Sequence, residues 1–321
     1  MHITRTLVIA AGAMVLASAA SATTLKMWGG HAADYPTSVG QLYFGEKVKE
    51  LTNGKYEFKF YPSMTLGSEN SGLDQVRFGA IDAGNFNIGP TSDTVEEYKL
   101  LALPYVFSSE EQMYKVLDGE IGDELAAKAE KNGLVVLGWY GSGARSFYNS
   151  KHPIKTPADL EGMKVRVQQT AVFVDTIEAL GAKATPLPFG EVYTALKTGV
   201  VDGAENNWPS YESTAHYEVA KYYSLDRHSI VPEILCVSKK LWGKLSDDEK
   251  KAFQQAATES EAVMRKAWDV RVEKSKKIVI DAGTEVNEVD VEAFQAKMKP
   301  VYDKYLTPEA QALLDRIRAV K

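Results

Sequence analysis

Apolar and polar side chains alternate most clearly at residues 163–167, where Lys164 and Arg166 separate three apolar residues. A period of two predicts a β-strand that faces a core on one side. A helical pattern follows at residues 170–180, and Gly181 is typical of a helix end. These elements form the first half of a predicted βαβ-like unit.

The second half of this unit consists of a helix at residues 191–198 and an apolar strand at residues 199–203. The strand leads into Asn206, Asn207 and Trp208, which a proline follows. Ligands of open α/β sheets lie beyond the C-terminal ends of the strands. The pattern therefore places a candidate ligand site beyond this strand end.

The rest of the chain has the same mixed α/β pattern. Residues 79–87 resemble residues 199–206, since each stretch places a glycine, two apolar residues, an aspartate and a polar cluster after a helix. This weak repeat predicts one similar strand end in each of two domains. Further strands are predicted at residues 24–28, 56–61, 134–139, 222–225 and 234–238, and further helices at 36–52, 71–78, 95–132 with an interruption at Pro104, and 291–319.

One predicted helix is long for a globular protein. Ser246 and Glu249 form a capping box, in which each side chain satisfies a free backbone N–H. The following run without proline or glycine covers roughly 35 residues, or about 50 Å at 1.5 Å per residue. The 321 residues suggest two domains. The two domains could share this helix as a strut, and Gly141 and Gly143 suit a crossing between them.

Composition narrows the possible partners. The net charge is −6 and the basic residues are spread along the chain, so we expect no nucleic-acid partner. The single cysteine, Cys236, excludes an internal disulfide and a cysteine-based zinc site. Its apolar neighbours predict a buried core residue.

The N-terminus has the pattern of a signal peptide at residues 1–22. Arg5 precedes a small, apolar run at residues 7–20, and a small-x-small cleavage pattern ends at Ala22. The apolar run is shorter than the roughly 20 residues that a membrane-spanning helix needs. We expect a mature chain that begins near Thr23 and is exported into a bacterial periplasm.

No nucleophile-elbow, P-loop or dinucleotide-binding motif occurs in the sequence. We therefore expect no cofactor and no metal. Carboxylates are numerous, so the alternative that two of them form a pair for acid–base chemistry stays open. Four histidines lack metal-ligand spacing and are interpreted as surface or core residues: His31, His152, His216 and His228.

Two arginines and two asparagines each have a structural and a binding interpretation. Arg166 could lie on the polar face of a half-exposed strand, or its planar fork could hold a carboxylate through two hydrogen bonds. Arg145 has the same two interpretations. Asn206 and Asn207 could form a turn, or their amides could bind hydroxyls or a carboxylate. Three aromatic residues could be core side chains or an apolar floor under a sugar ring: Trp208, Phe189 and Tyr35.

Residues 162–167, 188–196 and 201–206 carry a family resemblance. In order and spacing they resemble segments of the solute-binding proteins of tripartite ATP-independent periplasmic (TRAP) transporters, the DctP family. The resemblance covers the whole mature chain and includes the long helix. It implies a non-enzymatic protein with a two-domain, type II-like α/β fold, in which both domains share that helix.

The resemblance also implies domain boundaries and site residues. Domain I is expected at residues 23–142 plus 231–272, and domain II at residues 143–230 plus 273–321, with the ligand cleft between them. In the family, residues that match Arg166, Asn206, Arg145, Phe189 and Asn87 clamp, assist or pack on an organic acid. The candidate ligand-binding set also contains Trp208, His31, Tyr35, Glu69, Asn207 and Glu233.

The implied ligand is a hexuronate such as D-glucuronate or D-galacturonate. Residues 206–213 resemble the version in hexuronate-binding members, and Asn87 replaces an acidic residue that sialic-acid-binding members use. An aldonate, a C4-dicarboxylate or a 2-oxo acid is the alternative within this role. A secreted glycosidase or lyase with two carboxylates is the alternative outside it. The implied partner is a membrane permease driven by an ion gradient, and the protein itself is expected to be a monomer.

Overall fold

The computed structural model describes residues 22–321. The predicted signal peptide lies outside the described residues, apart from Ala22. Among the helices that are described, none is both long and apolar enough to cross a membrane.

The chain folds into a mixed α/β structure. The strands are β1 (Thr23–Trp28), β2 (Tyr56–Tyr61), β3 (Ala83–Asn87), β4 (Leu134–Asn149), β5 (Lys164–Val167), β6 (Lys183–Pro186), β7 (Gly203–Asn206), β8 (Tyr222–Ser238) and β9 (Glu285–Glu288). The α-helices are α1 (Pro36–Leu51), α2 (Glu69–Arg77), α3 (Ile88–Ser92), α4 (Lys99–Ala102), α5 (Glu110–Leu117), α6 (Glu120–Lys131), α7 (Ala171–Ala179), α8 (Val192–Lys197), α9 (Trp208–Ser213), α10 (His216–Val219), α11 (Lys239–Trp242), α12 (Asp247–Asp281), α13 (Val291–Ala296), α14 (Lys299–Tyr305) and α15 (Pro308–Ala319).

A single mixed sheet contains all nine strands of the described residues, in the order β2-β1-β3-β8-β4-β7-β5-β6, with β9 beside β8. The antiparallel strands β4 and β8 are much longer than the others. The C-terminal part of β8 pairs with β3, whereas the C-terminal part of β4 pairs with β7. Two lobes therefore share one sheet, and the two long strands pass through both.

The predicted long helix is confirmed as α12, which spans 35 residues and starts at the predicted capping box. Near its middle, Ser260 hydrogen-bonds Tyr140 of β4 at 2.7 Å. Farther along, Arg271 and Ser275 donate to the Glu212 carboxylate of α9. Its buried side chains enter two hydrophobic clusters, one in each lobe. The helix thus ties the two lobes together, as its length predicts.

Four strand predictions were wrong in their bounds. The stretches 222–225 and 234–238 are the two ends of the single strand β8, because Asp226 and His228 in its polar middle are buried rather than exposed. The strand predicted at 199–203 begins only at Gly203. Gly199 ends α8 with a φ of +74°, and Val200 is 54% exposed, so this apolar run belongs to a turn. The prediction at 134–139 covers only the first part of β4.

The predicted repeat between the two lobes has a structural basis. Asp82 accepts a hydrogen bond from the Lys26 backbone N–H at 2.7 Å and donates its own N–H to the Lys26 carbonyl at 3.0 Å. Asp202 makes the same pair of bonds with Lys164, at 2.9 and 2.7 Å. Each aspartate therefore anchors the start of a strand, β3 or β7, to the neighbouring parallel strand.

The register of β4 and β8 shifts between Gly141 and Ala144, where Gly143 has a φ of +64°. A Cβ atom on Gly143 would lie 2.7 Å from the indole of Trp268 on α12. Close approach and positive φ both require glycine here, and they bring the long helix against the sheet.

We predict that Gly143→Ala lowers the free energy of unfolding by about 2–4 kcal/mol, because backbone strain and overpacking add. Urea unfolding followed by circular dichroism measures this loss. Gly54→Ala is the matched control, since Gly54 has a φ of +77° and open space around its Cβ position. The control should lose only about 1 kcal/mol. Equal losses in the two variants would contradict the close packing of Trp268 on this turn.

Candidate ligand-binding site

A cleft lies where β3, β5 and β7 end, and the space between its lining atoms is about 510 Å³, part of it open to solvent. Nine of the candidate residues line it, namely Arg166, Asn206, Arg145, Asn87, Phe189, His31, Glu69, Asn207 and Glu233. The sequence did not single out the other lining residues, which are Trp28, Gly30, Met64, Asn85, Ser142, Gln168 and Ser210.

Arg166 is a buried cation, with 2% of its surface exposed. The interpretation as a half-exposed strand residue was therefore wrong. Its Nε and Nη2 donate to the Leu187 carbonyl at 3.0 and 2.7 Å. No carboxylate oxygen of residues 22–321 forms an ion pair with it. Burial lowers the pKa of Arg166 to about 10, against the opposing effect of the Glu205 charge, so the guanidinium stays charged at neutral pH.

Arg145 is equally buried but is ion-paired within the protein. Its Nε and Nη2 donate to the two carboxylate oxygens of Glu205, the latter at 2.8 Å, and Nη2 also donates to the Glu205 carbonyl at 2.8 Å. Its Nη1 donates to Oδ1 of Asn206 at 2.9 Å. The charge of Arg145 is therefore balanced within the protein, whereas that of Arg166 is not.

A chain of alternating charges continues behind Arg145. The imidazole of His228 lies 2.7 Å from Asp226 through Nδ1 and 3.3 Å from Glu205 through Nε2. Burial opposes the charged form, but Asp226 and then Glu205 raise the pKa of His228 to about 9. Burial also opposes the charge of Glu205, yet Arg145 and His228 lower the pKa of that carboxyl to about 2. Both groups are thus ionised at neutral pH.

The two asparagines have different tasks. Asn206 accepts at Oδ1 from Arg145 and from the Asn207 backbone N–H, so its Nδ2 is left to face the cleft. Asn207 instead caps α9 by accepting from the Ser210 N–H at 2.7 Å, and its Nδ2 donates to the Ser142 carbonyl at 2.7 Å. Asn206 therefore offers donors to a ligand, while Asn207 holds the cleft wall in place.

Two carboxyl groups flank Asn87 on the β3 side of the cleft. Glu69 accepts from the Asn87 backbone N–H at 2.7 Å, and Glu233 of β8 is the register partner of Asn87. The Asn87 side chain caps α3 by accepting from the Gly89 N–H at 3.1 Å. Burial and then the charge of Glu69 raise the pKa of Glu233 to about 8, and burial raises that of Glu69.

The aromatic candidates fall into two groups. The ring of His31 stacks on Tyr35 at 3.8 Å and meets the edge of Phe189 at 5.4 Å across the cleft. Burial and then the Arg145 charge lower the pKa of His31 to about 4, so its imidazole is neutral at pH 7. Tyr35 and Trp208 are not among the side chains that line the cleft. Trp208 stacks on Tyr223 at 4.0 Å, and the Tyr35 hydroxyl lies 2.9 Å from Ser210.

Gln168 lines the cleft and was missed, although the sequence contained its signal. The period of two at β5 places Gln168 on the same face as Arg166. Its Oε1 is buried and makes no hydrogen bond within the part of the chain that is described. The same part contains no group of three His, Cys, Asp or Glu side chains that could hold a metal ion.

Comparisons with known proteins identify the family of this chain. The sequence model of the family described as bacterial extracellular solute-binding protein, family 7 (DctP) matches residues 29–308. A solute-binding protein of Chromohalobacter salexigens is 46% identical over 307 residues, which are 94% of this chain and 91% of the relative.

Two solved structures are also similar over nearly their whole length. A TRAP periplasmic solute-binding protein of Sulfitobacter sp. NAS-14.1 with bound β-D-galacturonate has a TM-score of 0.90 and 48% identity, over 92% of this chain and 99% of that one. Another from Chromohalobacter salexigens, with bound D-glucuronate, has a TM-score of 0.91 and 45% identity, over 92% of this chain and 100% of that one.

We predict that His228→Gln lowers the free energy of unfolding by about 3 kcal/mol near pH 6, because Asp226 and Glu205 lose the cation between them. The pKa of His228 is raised from 6.5 to about 9. Its stabilisation is therefore complete below pH 6.5 and disappears as the pH rises through 9.

Urea unfolding of wild type and variant from pH 6 to 9.5 tests this, and the difference should shrink as the pH rises. The control His152→Gln replaces an exposed histidine and should change little at any pH. A His228→Gln effect that is independent of pH would contradict a buried imidazolium.

Proposed function

The chain belongs to bacterial extracellular solute-binding protein family 7, the DctP family, and we propose that it captures a hexuronate through the carboxylate of the sugar. It is a solute-binding protein of a TRAP transporter and not an enzyme. D-Glucuronate and D-galacturonate are the proposed ligands. The glycosidase or lyase alternative is set aside because the family consists of binding proteins.

The observation that carries this proposal is the unpaired charge of Arg166. Nε and one Nη2 proton are used by Leu187, which leaves Nη1 and the second Nη2 proton. One of the two Nη1 protons and that Nη2 proton point in parallel and match the two oxygens of a carboxylate. A buried cation without a counterion is costly, so a ligand carboxylate at this position supplies the partner that the protein lacks.

Arg145 has a supporting role in this proposal. Glu205 already accepts from both Nε and Nη2 of Arg145. Arg145 therefore orients Asn206 rather than binding the ligand carboxylate. Its contact with Oδ1 of Asn206 turns the Nδ2 donors of that side chain toward the cleft. The ligand carboxylate or ring oxygens then have a neutral donor beside Arg166.

The rest of the cleft suits a polyhydroxylated ring. Gln168 offers an unpartnered acceptor, Glu69 offers a carboxylate, and neutral His31 offers both a donor and an acceptor. The Phe189 ring, 5.9 Å from the guanidinium carbon of Arg166, supplies an apolar surface for the C–H face of a sugar. This combination favours a sugar acid over a short apolar acid.

The proposed domains are residues 23–142 plus 231–272 and residues 143–230 plus 273–321, with the cleft between them. The two proposed domains are in contact across the boundary, since Tyr35 reaches Ser210 and Ser92 lies 3.3 Å from the Thr170 hydroxyl. The crossings in β4 and β8 fall at the register shift near Gly141. Closing and opening about these crossings would admit the ligand and then exclude water from it.

The cellular role follows from the family. Members are periplasmic, and we propose that residues 1–22 direct export and are removed near Ala22. The loaded protein, as a monomer, would then deliver the uronate to membrane permease subunits that use an ion gradient. An aldonate or a 2-oxo acid would satisfy Arg166 equally well and is the alternative ligand class.

We predict that Arg166→Ala weakens D-galacturonate binding by about 30- to 4000-fold, because removing one partner of a buried charge pair costs roughly 2–5 kcal/mol. Arg166→Lys should fall between wild type and Ala, since it keeps the charge and loses the fork. Asn206→Ala should lose about fivefold, as a neutral hydrogen bond contributes about 1 kcal/mol. Isothermal titration calorimetry measures all three.

Arg265→Ala is the matched control, because Arg265 pairs with Asp118 outside the cleft. Its affinity should stay within about twofold of wild type. D-Galactose, which lacks the carboxylate, should give no detectable binding. A folded Arg166→Ala protein that binds D-galacturonate within threefold of wild type, or equal binding of D-galactose, would refute the carboxylate clamp.

A further inference from the structure

Glu69 and Glu233 lie on the β3 side of the cleft, beside Asn87, whereas Arg166 lies on β5. We propose that these two acids form a charge filter, which admits ligands with a single carboxylate and rejects those that carry a second one at the opposite end. The inference rests on the proposed function, in which Arg166 binds the first carboxylate. It names Glu69 and Glu233 as residues that determine specificity.

Both acids are held in place by the same strand end. Glu69 is the first residue of α2 and accepts from the Asn87 backbone N–H, while Glu233 lies opposite Asn87 in the β3–β8 pairing. Asn87 itself is fixed by the cap that it provides for α3. Neither carboxyl group forms an ion pair with a basic side chain of residues 22–321. Their positions are therefore set by backbone geometry, not by a salt bridge that a ligand could exchange.

A count of the charges that line the cleft explains the filter. The cationic side chains there are Arg145 and Arg166, since His31 is neutral. Glu205 balances Arg145, and the first ligand carboxylate balances Arg166. No cation of the cleft lining is left for a second ligand carboxylate. At the Asn87 end it would face the Glu69 carboxylate instead, with the protonated Glu233 beside it, and like charges in a desolvated site repel strongly.

The same pair suits hydroxyl groups. The charges that act on Glu69 are those of Arg166 and Arg145, and those that act on Glu233 are Glu69 and Arg145. With burial, the Glu69 charge raises the pKa of Glu233 to about 8, so at neutral pH the pair holds a proton on Glu233. One member then donates and the other accepts, which matches a sugar hydroxyl.

The charge filter therefore predicts a narrower class of ligands than the carboxylate-binding role of Arg166 predicts alone. Uronates and aldonates carry one carboxylate and pass, because their other end is hydroxylated. Aldarates and C4-dicarboxylates carry a carboxylate at each end and are rejected.

Calorimetric titration with D-galacturonate and galactarate at pH 7.5 tests this inference on the full mature chain. Wild type should bind galactarate at least about 100-fold more weakly than D-galacturonate. In Glu69→Gln the amide oxygen can still accept from Asn87, but the charge is gone. The ratio of the two dissociation constants should then narrow at least about tenfold. Glu233→Gln should narrow it less, because that group is mostly neutral already.

Glu261→Gln is the matched control. Glu261 is also a partly buried carboxylate that accepts from a strand backbone N–H, that of Trp139 at 2.6 Å, but it does not line the cleft. The ratio should stay at the wild-type value in this variant. Thermal unfolding without ligand verifies that each variant is folded.

The outcomes separate the two proposals. Galactarate binding within threefold of D-galacturonate in wild type, or a ratio that Glu69→Gln leaves unchanged, overturns the filter while uronate capture stands. If wild type binds no uronate, the proposed function fails, and the filter is then measured with gluconate and glucarate. If gluconate and glucarate stabilise the protein equally, or if neither stabilises it, the filter is overturned as well.

Discussion

The structure depends on how buried positive charge is balanced. Asp226, His228, Glu205 and Arg145 alternate in sign along one buried chain, so that each charge has a partner inside the protein. Arg166 lies beside this chain and has a carbonyl but no carboxylate. Because a buried charge is costly without a counterion, we propose that Arg166 provides the position at which an anionic ligand binds. Selectivity for an acid over a neutral sugar is what this proposal predicts.

The fold supplies the geometry through a repeated strand end. Asp82 and Asp202 fix the starts of β3 and β7 in the same way, and Asn87 and Asn207 cap the helices that follow. The polar ends of the two lobes consequently face each other across the cleft. The long strands β4 and β8 run through both lobes, and α12 packs against both.

Much of this arrangement could be predicted from the sequence, and the failures have physical causes. The period of two at β5 predicted the strand that carries Arg166, and the capping box predicted where α12 begins. The middle of β8 was missed because Asp226 and His228 look solvent-exposed, and only their partner Glu205, distant in sequence, makes their burial possible. Charge pairing of this kind leaves no periodic signal. For the same reason, the sequence could not distinguish Arg145 from Arg166, although one is neutralised and the other is not.

A crystal structure of the complex with D-galacturonate tests the central claim most directly. We expect the two carboxylate oxygens to lie within hydrogen-bond distance of Nη1 and Nη2 of Arg166, while Arg145 keeps its contacts with Glu205. The sugar hydroxyls should point toward Glu69 and Glu233. A carboxylate bound to Arg145 with Glu205 displaced, or one turned toward Glu69, would contradict the account.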